Sequence, residues 1–230
     1  MRAETALRTI VLDHVSVEID GRPVLTDVSL SLAAARIAVI GANGSGKSTF
    51  ARLLNGLAAP SSGAVSVQGR DTVRDLTEVR RRVGFVFTDP AAQILMPTPA
   101  EDLALSLRGR PRAEIAERVR AALDEHGLSD HADVPSYGLS GGQKQMLALA
   151  SVLITRPELI VADEPTTLLD LRNARRIGDL LLRQTAQVVL VTHDLDLASR
   201  CDEAVLFHDG RLADVGAPGE VIAAYRRMCV

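Results

Sequence analysis

The sequence predicts an α/β fold in which strands and helices alternate and the middle of the chain is helical. Two short, continuous apolar runs, 36–41 and Leu159–Asp163, are typical of strands that are covered on both faces. From 89 to 156 the pattern changes to Ala, Leu, Glu and Arg at helical spacing, with no convincing strand. We therefore expect one domain, 1–230, with a core formed by 1–88 and 156–230 and a helical insertion at about 89–155.

The first forty residues indicate two strands with one buried face each. Apolar residues recur through 11–19, and the turn signal Asp20-Gly-Arg-Pro23 follows them. The run Val28–Leu32 then alternates apolar and polar residues with period two. After the strand at 36–41 we expect a helix over about 47–55, with Gly56 as its C-terminal stop. The further predicted strands are 64–68, 83–88, Leu159–Asp163, 187–192 and 204–207.

Composition excludes several classes of protein. Of the 230 residues 47% are hydrophobic and 24% charged, which is typical of a globular protein, and the net charge of −3 argues against a broad nucleic-acid-binding surface. No run reaches the about 18 apolar residues of a membrane span. Charges within the first apolar run, at 1–13, argue against a signal peptide. Cys201 and Cys229 fit neither a disulfide framework nor a zinc motif, so we expect free thiols in a reducing compartment.

A glycine-rich run, GANGSGKST at 41–49, lies between a predicted strand and a predicted helix. It matches G-x-x-x-x-G-K-[ST], in which backbone N–H groups and the start of a helix surround the phosphates of a nucleotide. We expect Lys47 to reach the β- and γ-phosphates, and the Ser48 hydroxyl to bind Mg²⁺. The residues predicted to bind ATP here are Gly41, Asn43, Gly44, Ser45, Gly46, Lys47, Ser48 and Thr49.

Two adjacent carboxylates end the apolar run LIVADEP at 159–165. At the carboxyl end of a strand, Asp163 is placed to hold Mg²⁺, directly or through water. Glu164 follows and can act as the base that orients or deprotonates an attacking water. An acidic turn is the alternative interpretation, but it is disfavoured because the same chain carries the glycine-rich run.

A second candidate phosphate-binding element is LSGGQ at 139–143, which precedes an amphipathic run. Ser140 and Gln143 have the spacing of a capping box, so a helix start alone would explain them. Gly141 and Gly142 favour an anion-binding site as well as a helix start. A cap does not need two glycines, whereas the close approach of an anion to the first-turn N–H groups does.

Taken together, these motifs resemble the ATP-binding subunits of ABC transporters. LSGGQ is similar to the signature motif of that family, GANGSGKST to its Walker A motif and LIVADEP to its Walker B motif. Asp170 stands where the family has its D-loop, His193 where it has its switch histidine, and Gln93 where it has its Q-loop. The resemblance runs from about 10 to 222.

The resemblance implies a fold and a mechanism. The fold is a P-loop NTPase (RecA-like) core with an antiparallel β subdomain and an inserted α-helical subdomain. Two subunits, identical or paralogous, face head to tail, and ATP held by one is covered by the signature residues Ser140, Gly141, Gly142 and Gln143 of the other. It further implies that Glu164, His193 and Lys47 are catalytic and that Asp170 lies at the dimer interface. Gln93 is implied to bind ATP and Mg²⁺ and to sense the attacking water.

Some positions depart from the family pattern. Ile19 stands where relatives have an aromatic residue that stacks on adenine, so the base would rest on an aliphatic contact. Met146 replaces an arginine that is frequent in relatives, and 167–169 is bulkier than the usual D-loop. Neither of these two changes removes a catalytic group.

The segment 88–103 resembles that of energy-coupling-factor importers. Thr98, Pro99 and Glu101 fit the N-cap, first and third positions of a helix. The apolar patch 94–96 just before them is either a socket for a partner's coupling helix or buried within the insertion. The resemblance implies a transmembrane coupling protein and a substrate-binding membrane subunit as partners, a peripheral location on the cytoplasmic face of the membrane, and import of a vitamin, with biotin favoured, or of a transition-metal ion.

Two other functions stay open at this point. A soluble ABC ATPase that acts on nucleic acid or translation would share the motifs, although such proteins usually carry paired cassettes or long coiled-coil insertions. A P-loop metabolite kinase would share the glycine-rich run but has no use for LSGGQ. The absence of a basic composition further disfavours a nucleic-acid partner.

Overall fold

The computed structural model describes residues 9–229, which form two β-sheets and eight α-helices. Most of the segment 1–13, on which the signal-peptide prediction rests, lies outside the described residues. The strands are β1 (Ile10–Ile19), β2 (Arg22–Leu32), β3 (Arg36–Ile40), β4 (Ser62–Val67), β5 (Arg70–Asp71), β6 (Val83–Val86), β7 (Leu159–Asp163), β8 (Gln187–Val191), β9 (Glu203–His208) and β10 (Arg211–Gly216). The helices are α1 (Lys47–Leu53), α2 (Leu76–Arg82), α3 (Pro99–Leu105), α4 (Arg112–His126), α5 (Gly141–Leu153), α6 (Leu171–Leu182), α7 (Leu195–Ala198) and α8 (Pro218–Met228).

The larger sheet has six strands in the order β10-β9-β3-β8-β7-β6 and is parallel except for β10. Strands β3, β7 and β8 are almost entirely buried, which explains why each is a continuous apolar run. Because β8 lies between β3 and β7, the loop after β3 and the carboxyl end of β7 meet at one edge of the sheet, where ligands bind in α/β folds.

The smaller sheet is antiparallel, in the order β2-β1-β4-β5. Val28, Leu30 and Leu32 are buried while Ser29 and Ser31 are exposed, so the alternation in the sequence is confirmed. The buried face packs with α1 against one side of the parallel sheet, and there the rings of Phe50 and Phe207 lie 5.2 Å apart. The predicted fold class is confirmed.

Helices fill the segment 89–156, all of which is described, and no strand lies within it. Helix α3 begins as predicted, because the Thr98 hydroxyl accepts a hydrogen bond from the Glu101 N–H at 3.3 Å and Pro99 is the first helical residue. Helix α5 packs its apolar face into a second core on the other side of the parallel sheet. Met146 is part of this core, being 4% exposed.

The turn expected over Asp20–Pro23 is shorter, because β2 begins at Arg22, which pairs with Ile19. Two other predicted elements end two residues earlier than expected, for local reasons. The helix expected over 47–55 ends at Leu53, because the chain turns there and Gly56 takes a φ of 66°. The strand expected over 83–88 ends at Val86, because the Phe87 N–H donates instead to the side chain of Gln93. Strand β10 was not predicted, although the Asp209-Gly210 hairpin turn, with φ 46° and 74°, is its local signal.

Both cysteines are free thiols, as expected, with Cys201 buried and Cys229 exposed. Burial raises the pKa of the Cys201 thiol to about 12. Among the described helices, none is long and apolar enough to cross a lipid bilayer.

Candidate nucleotide-binding site

The loop after β3 curls because its glycines allow conformations that side chains would block. Gly41 has a φ of 145°, and a Cβ there would lie 2.2 Å from the Phe207 carbonyl oxygen. Gly46 has a φ of 99°, and a Cβ there would lie 2.5 Å from the Leu25 side chain. Substitution at either position would force the loop outward, so the two glycines set the shape of the cradle.

Lys47 is held inside this loop. Its side chain is buried, at 6% exposed, and its Nζ donates hydrogen bonds to the carbonyl oxygens of Gly41 and Ala42, both at 2.8 Å. Burial lowers the pKa of the ammonium, and the charges of Glu164 and Asp163 oppose that shift. The cation is therefore already oriented at the point where the loop would receive a phosphate.

Ser48 and Asp163 form the next part of the site. The Ser48 hydroxyl donates to Oδ1 of Asp163 at 2.9 Å, joining the first turn of α1 to the end of β7. Asp163 is 3% exposed, and this burial raises the pKa of its carboxyl. A hydroxyl beside a carboxylate fits Mg²⁺, which typically takes one or two protein oxygens and completes its shell with phosphates and water. Among residues 9–229, no group of three or more His, Cys, Asp or Glu could form an all-protein metal cage.

Glu164 and His193 lie together above the cradle. Nδ1 of His193 is 2.7 Å from Oε2 of Glu164, and the Thr167 hydroxyl donates to the same oxygen at 3.0 Å. Glu164 takes a positive φ of 52°, and its N–H donates to the Val191 carbonyl of β8. The chain thus leaves β7 in an uncommon backbone conformation at Glu164, a residue that lines the cavity around Lys47.

Glu164 and the loop residues line one cavity of about 210 Å³, and this lining does not include Asp163, Thr167 or His193. Its lining consists of Val24, Asn43, Gly44, Ser45, Gly46, Lys47, Ser48, Thr49 and Glu164. The Ser45 hydroxyl is buried and has no hydrogen-bond partner, so it is available to a ligand. Ile19 pairs with Arg22 at the end of the β1–β2 hairpin, near the cavity residue Val24, and is 49% exposed.

Gln93 is not among the residues that line this cavity. Its carbonyl oxygen accepts from the Phe87 N–H at 3.1 Å, and its amide nitrogen donates to the Ala148 carbonyl of α5 at 2.8 Å. Gln93 thus ties the end of β6 to the helical insertion. Its role as a ligand of ATP or Mg²⁺ stays a prediction, and it would require the amide to leave both partners.

The signature residues also lie outside the cavity. Ser140 caps α5 in the predicted capping box with Gln143. A Cβ on Gly142 would lie 2.8 Å from Asn173, whereas Gly141 has nothing within 4 Å. Close packing against the end of the Asn173 side chain is thus a further reason for a glycine at 142, and contact of the two glycines with an anion stays a prediction. Asp170 caps α6 and binds Asn173 through both carboxylate oxygens, at 2.9 and 2.7 Å.

One contact at the site was missed from the sequence. Thr167 was noted only as part of a bulky D-loop, yet its hydroxyl binds the Glu164 carboxylate. Its place three residues after Glu164 is the only local signal, and it is not specific, since Ser and Thr at such spacing also form ordinary turns.

The α/β core, the glycine-rich cradle and the carboxylates at the end of β7 define a nucleoside triphosphatase with a phosphate-binding loop. Residues 25–167 match the model of the ABC transporter family, and the chain belongs to that family. It is an ATP-binding, ATP-hydrolysing subunit of that kind, and the resemblance inferred from its motifs is confirmed.

Individual relatives agree with this assignment. The biotin transport ATP-binding protein BioM of Rhizobium etli is 41% identical over 95% of this chain and 98% of its own length. The energy-coupling factor transporter ATP-binding protein EcfA1 of Lacticaseibacillus paracasei is 40% identical over 86% of this chain and 74% of its own. The structure of CbiO1 from Clostridium perfringens, part of the ABC transporter complex CbiONQ, has a TM-score of 0.82 and 30% identity, and covers 93% of this chain and 90% of its own.

Proposed function

We propose that this chain is the motor of a membrane importer of the energy-coupling-factor type, and that biotin is its cargo. In this proposal two ATPase subunits, either two copies or this chain and a paralogue, close head to tail around ATP. The names of the BioM and EcfA1 relatives support this type of importer, and BioM supports biotin over a metal ion.

The observation that carries the proposed dimer is that the chain holds two phosphate-directed elements that do not meet. The cradle around Lys47 lines one cavity, and Ser140 to Gln143 do not contribute to it. Ser140 and Gly141 are exposed, and the space beside Gly141 is open. A second subunit that places its Ser140 over this cavity would complete the site, with Asp170 at the interface.

Within each site the cavity residues would divide the work with Asp163, which binds Ser48, and His193, which contacts Glu164. Lys47 and the loop N–H groups bind the β- and γ-phosphates, and Ser48 and Asp163 would hold Mg²⁺. The bound Mg²⁺ would neutralise charge on the phosphates. Glu164 accepts a proton from the attacking water, and His193 holds the Glu164 carboxylate and contacts the γ-phosphate.

An apolar groove in the helical insertion suits the membrane partner. Its volume is about 440 Å³, and its lining includes Leu95 and Tyr137, which are 71% and 84% exposed. The N–H groups of Leu95 and Met96 donate to the buried carboxylate of Asp102, which holds this segment in shape. We infer that the coupling segment of a transmembrane protein docks here, which places the chain on the cytoplasmic face of the membrane beside the substrate-binding subunit.

Uptake of labelled biotin by cells in which the gene for this chain has been deleted tests the cargo. Wild type and the surface control Glu158→Gln should restore uptake, whereas Glu164→Gln should not. Biotin uptake that is unchanged by the deletion would exclude biotin, and loss of cobalt or nickel uptake instead would assign a metal ion.

Mixed dimers test the composite site separately. Ser140→Ala in one subunit should impair the ATP site of the other subunit and leave the first subunit's own cradle able to bind ATP. Equal impairment of both sites would contradict the head-to-tail arrangement.

A further inference from the structure

The side chain of Gln143 has a second partner besides the capping box. Its amide oxygen Oε1 accepts the Ser140 N–H at 2.8 Å, and its amide nitrogen Nε2 lies 2.8 Å from Nε2 of His131. The first contact fixes which end of the amide is the oxygen, because only the oxygen can accept that N–H. The nitrogen therefore faces His131 and donates to it.

This geometry also fixes the form of the His131 ring. Nε2 must carry a lone pair to accept the amide hydrogen, so the ring is neutral with its proton on Nδ1. Nδ1 is buried and has no hydrogen-bond partner within residues 9–229. A buried donor without a partner is unfavourable for folding, so the ring orientation calls for an explanation beyond stability.

The backbone around His131 is held firmly. The residue ends a short 3₁₀ turn, Ser129–His131, and its N–H donates to the Leu128 carbonyl at 2.9 Å. Leu128 is buried in the core of the insertion, and the Ala132 carbonyl accepts the Ala100 N–H of α3. The ring is thus carried on a rigid base, which is the requirement for a residue that orients another.

We propose that His131 is a positioning residue of the ATP site: its Nε2 holds the Gln143 amide in one orientation, so that the start of α5 presents a fixed surface to ATP held by the second subunit. The inference rests on the proposed head-to-tail dimer. A capping box alone binds only the oxygen of the amide, and the contact with His131 fixes the amide plane. This preorganisation strengthens ATP binding without taking part in the chemical step.

Mixed dimers in which only one site is active provide the test. One subunit carries Glu164→Gln, so the active site combines Glu164 of the unmodified subunit with Gln143 of the modified one. His131→Phe is then added to either subunit, and single-turnover hydrolysis is measured against ATP concentration. On the subunit that carries Glu164→Gln, we expect the half-saturating ATP concentration to rise about three- to tenfold, with the maximal rate changed by less than about twofold.

On the subunit that keeps Glu164, His131→Phe should leave hydrolysis at the active site unchanged. A general folding defect would instead lower hydrolysis from either subunit. His131→Gln, which offers an acceptor oxygen at similar reach, should restore most of the ATP affinity. Equal effects from both subunits, or none from either, would overturn the proposal. Ser140→Ala in the same two placements is the control that separates the two proposals. If neither variant depends on the subunit that carries it, the head-to-tail dimer itself fails. If Ser140→Ala depends on the subunit and His131→Phe does not, only the role of His131 fails.

A measurement on the unmodified protein is independent of variant folding. In ¹⁵N-histidine-labelled full-length protein at neutral pH, the ring of His131 should show protonated Nδ1 and unprotonated Nε2. A ring with the proton on Nε2 would contradict the proposed contact.

Discussion

Nδ1 of His193 lies 2.7 Å from Oε2 of Glu164, so the chain following β8 contacts the residue that follows neighbouring β7. Glu164 also lines the cavity, so the contact places an imidazole beside the proposed base. A histidine in this place can hold the carboxylate in one orientation.

Glu164→Gln should abolish nearly all hydrolysis while ATP binding persists. The amide keeps the shape of the side chain but cannot accept a proton, so we expect kcat to fall by about 100-fold or more. ATP should then trap a dimer that is visible by size-exclusion chromatography. Glu158→Gln is the matched control, because Glu158 is a surface carboxylate paired with Arg82. Turnover at the wild-type rate would remove Glu164 from its assigned role.

Lys47→Arg should weaken ATP binding although it keeps the charge. Lys47 is enclosed between the loop carbonyls of Gly41 and Ala42, and a planar guanidinium is too wide for that position. Loss of a charged hydrogen bond to phosphate predicts a fall in affinity of about tenfold or more, measurable by calorimetry. The chain's only other lysine, Lys144, provides the control, and Lys144→Arg should bind ATP normally. Equal affinity in both variants would exclude the tight fit.

Asp163→Asn should stabilise the nucleotide-free protein and remove hydrolysis. Burial raises the pKa of Asp163 in the folded state, so the folded protein binds this proton more tightly than the unfolded chain does. The free energy of unfolding therefore falls as the pH rises from the ordinary carboxyl range through the raised pKa, and the ionised group destabilises the fold at neutral pH.

The asparagine keeps an oxygen for the Ser48 hydroxyl and has no charge. We expect a rise in Tm of about 2–4 °C at pH 7 by scanning calorimetry, and a smaller rise below about pH 4. Asp124→Asn, at an exposed position on α4, should leave Tm unchanged. A lower Tm for Asp163→Asn at pH 7 would contradict the stated burial effect.

Ile19→Tyr should tighten ATP binding. Ile19 is exposed at the end of the β1–β2 hairpin near the cavity, and an aromatic ring there can stack on adenine. We expect affinity to rise about three- to tenfold, with a smaller gain for a nucleotide that lacks the purine. Ile19→Leu, which adds no ring, is the control. Equal binding by Ile19→Tyr and Ile19→Leu would place the adenine elsewhere.

The sequence by itself determined the class of fold and the identity of the cradle. Continuous apolar runs identified β3 and β7 because strands buried on both faces are mostly apolar. The glycine-rich run and the capping box at Ser140 were also readable, since both depend on local backbone geometry that residue type controls.

Only the tertiary structure decided which of these residues meet. The contacts of Ser48 with Asp163 and of Glu164 with His193 join segments far apart in the chain, and the order of strands in the sheet creates them. The tertiary structure also showed that the Gln93 amide donates to α5 and that the Gln143 amide faces His131. Such contacts leave no local pattern, because a hydrogen bond between distant segments depends on how the whole chain packs and not on the spacing of its residues.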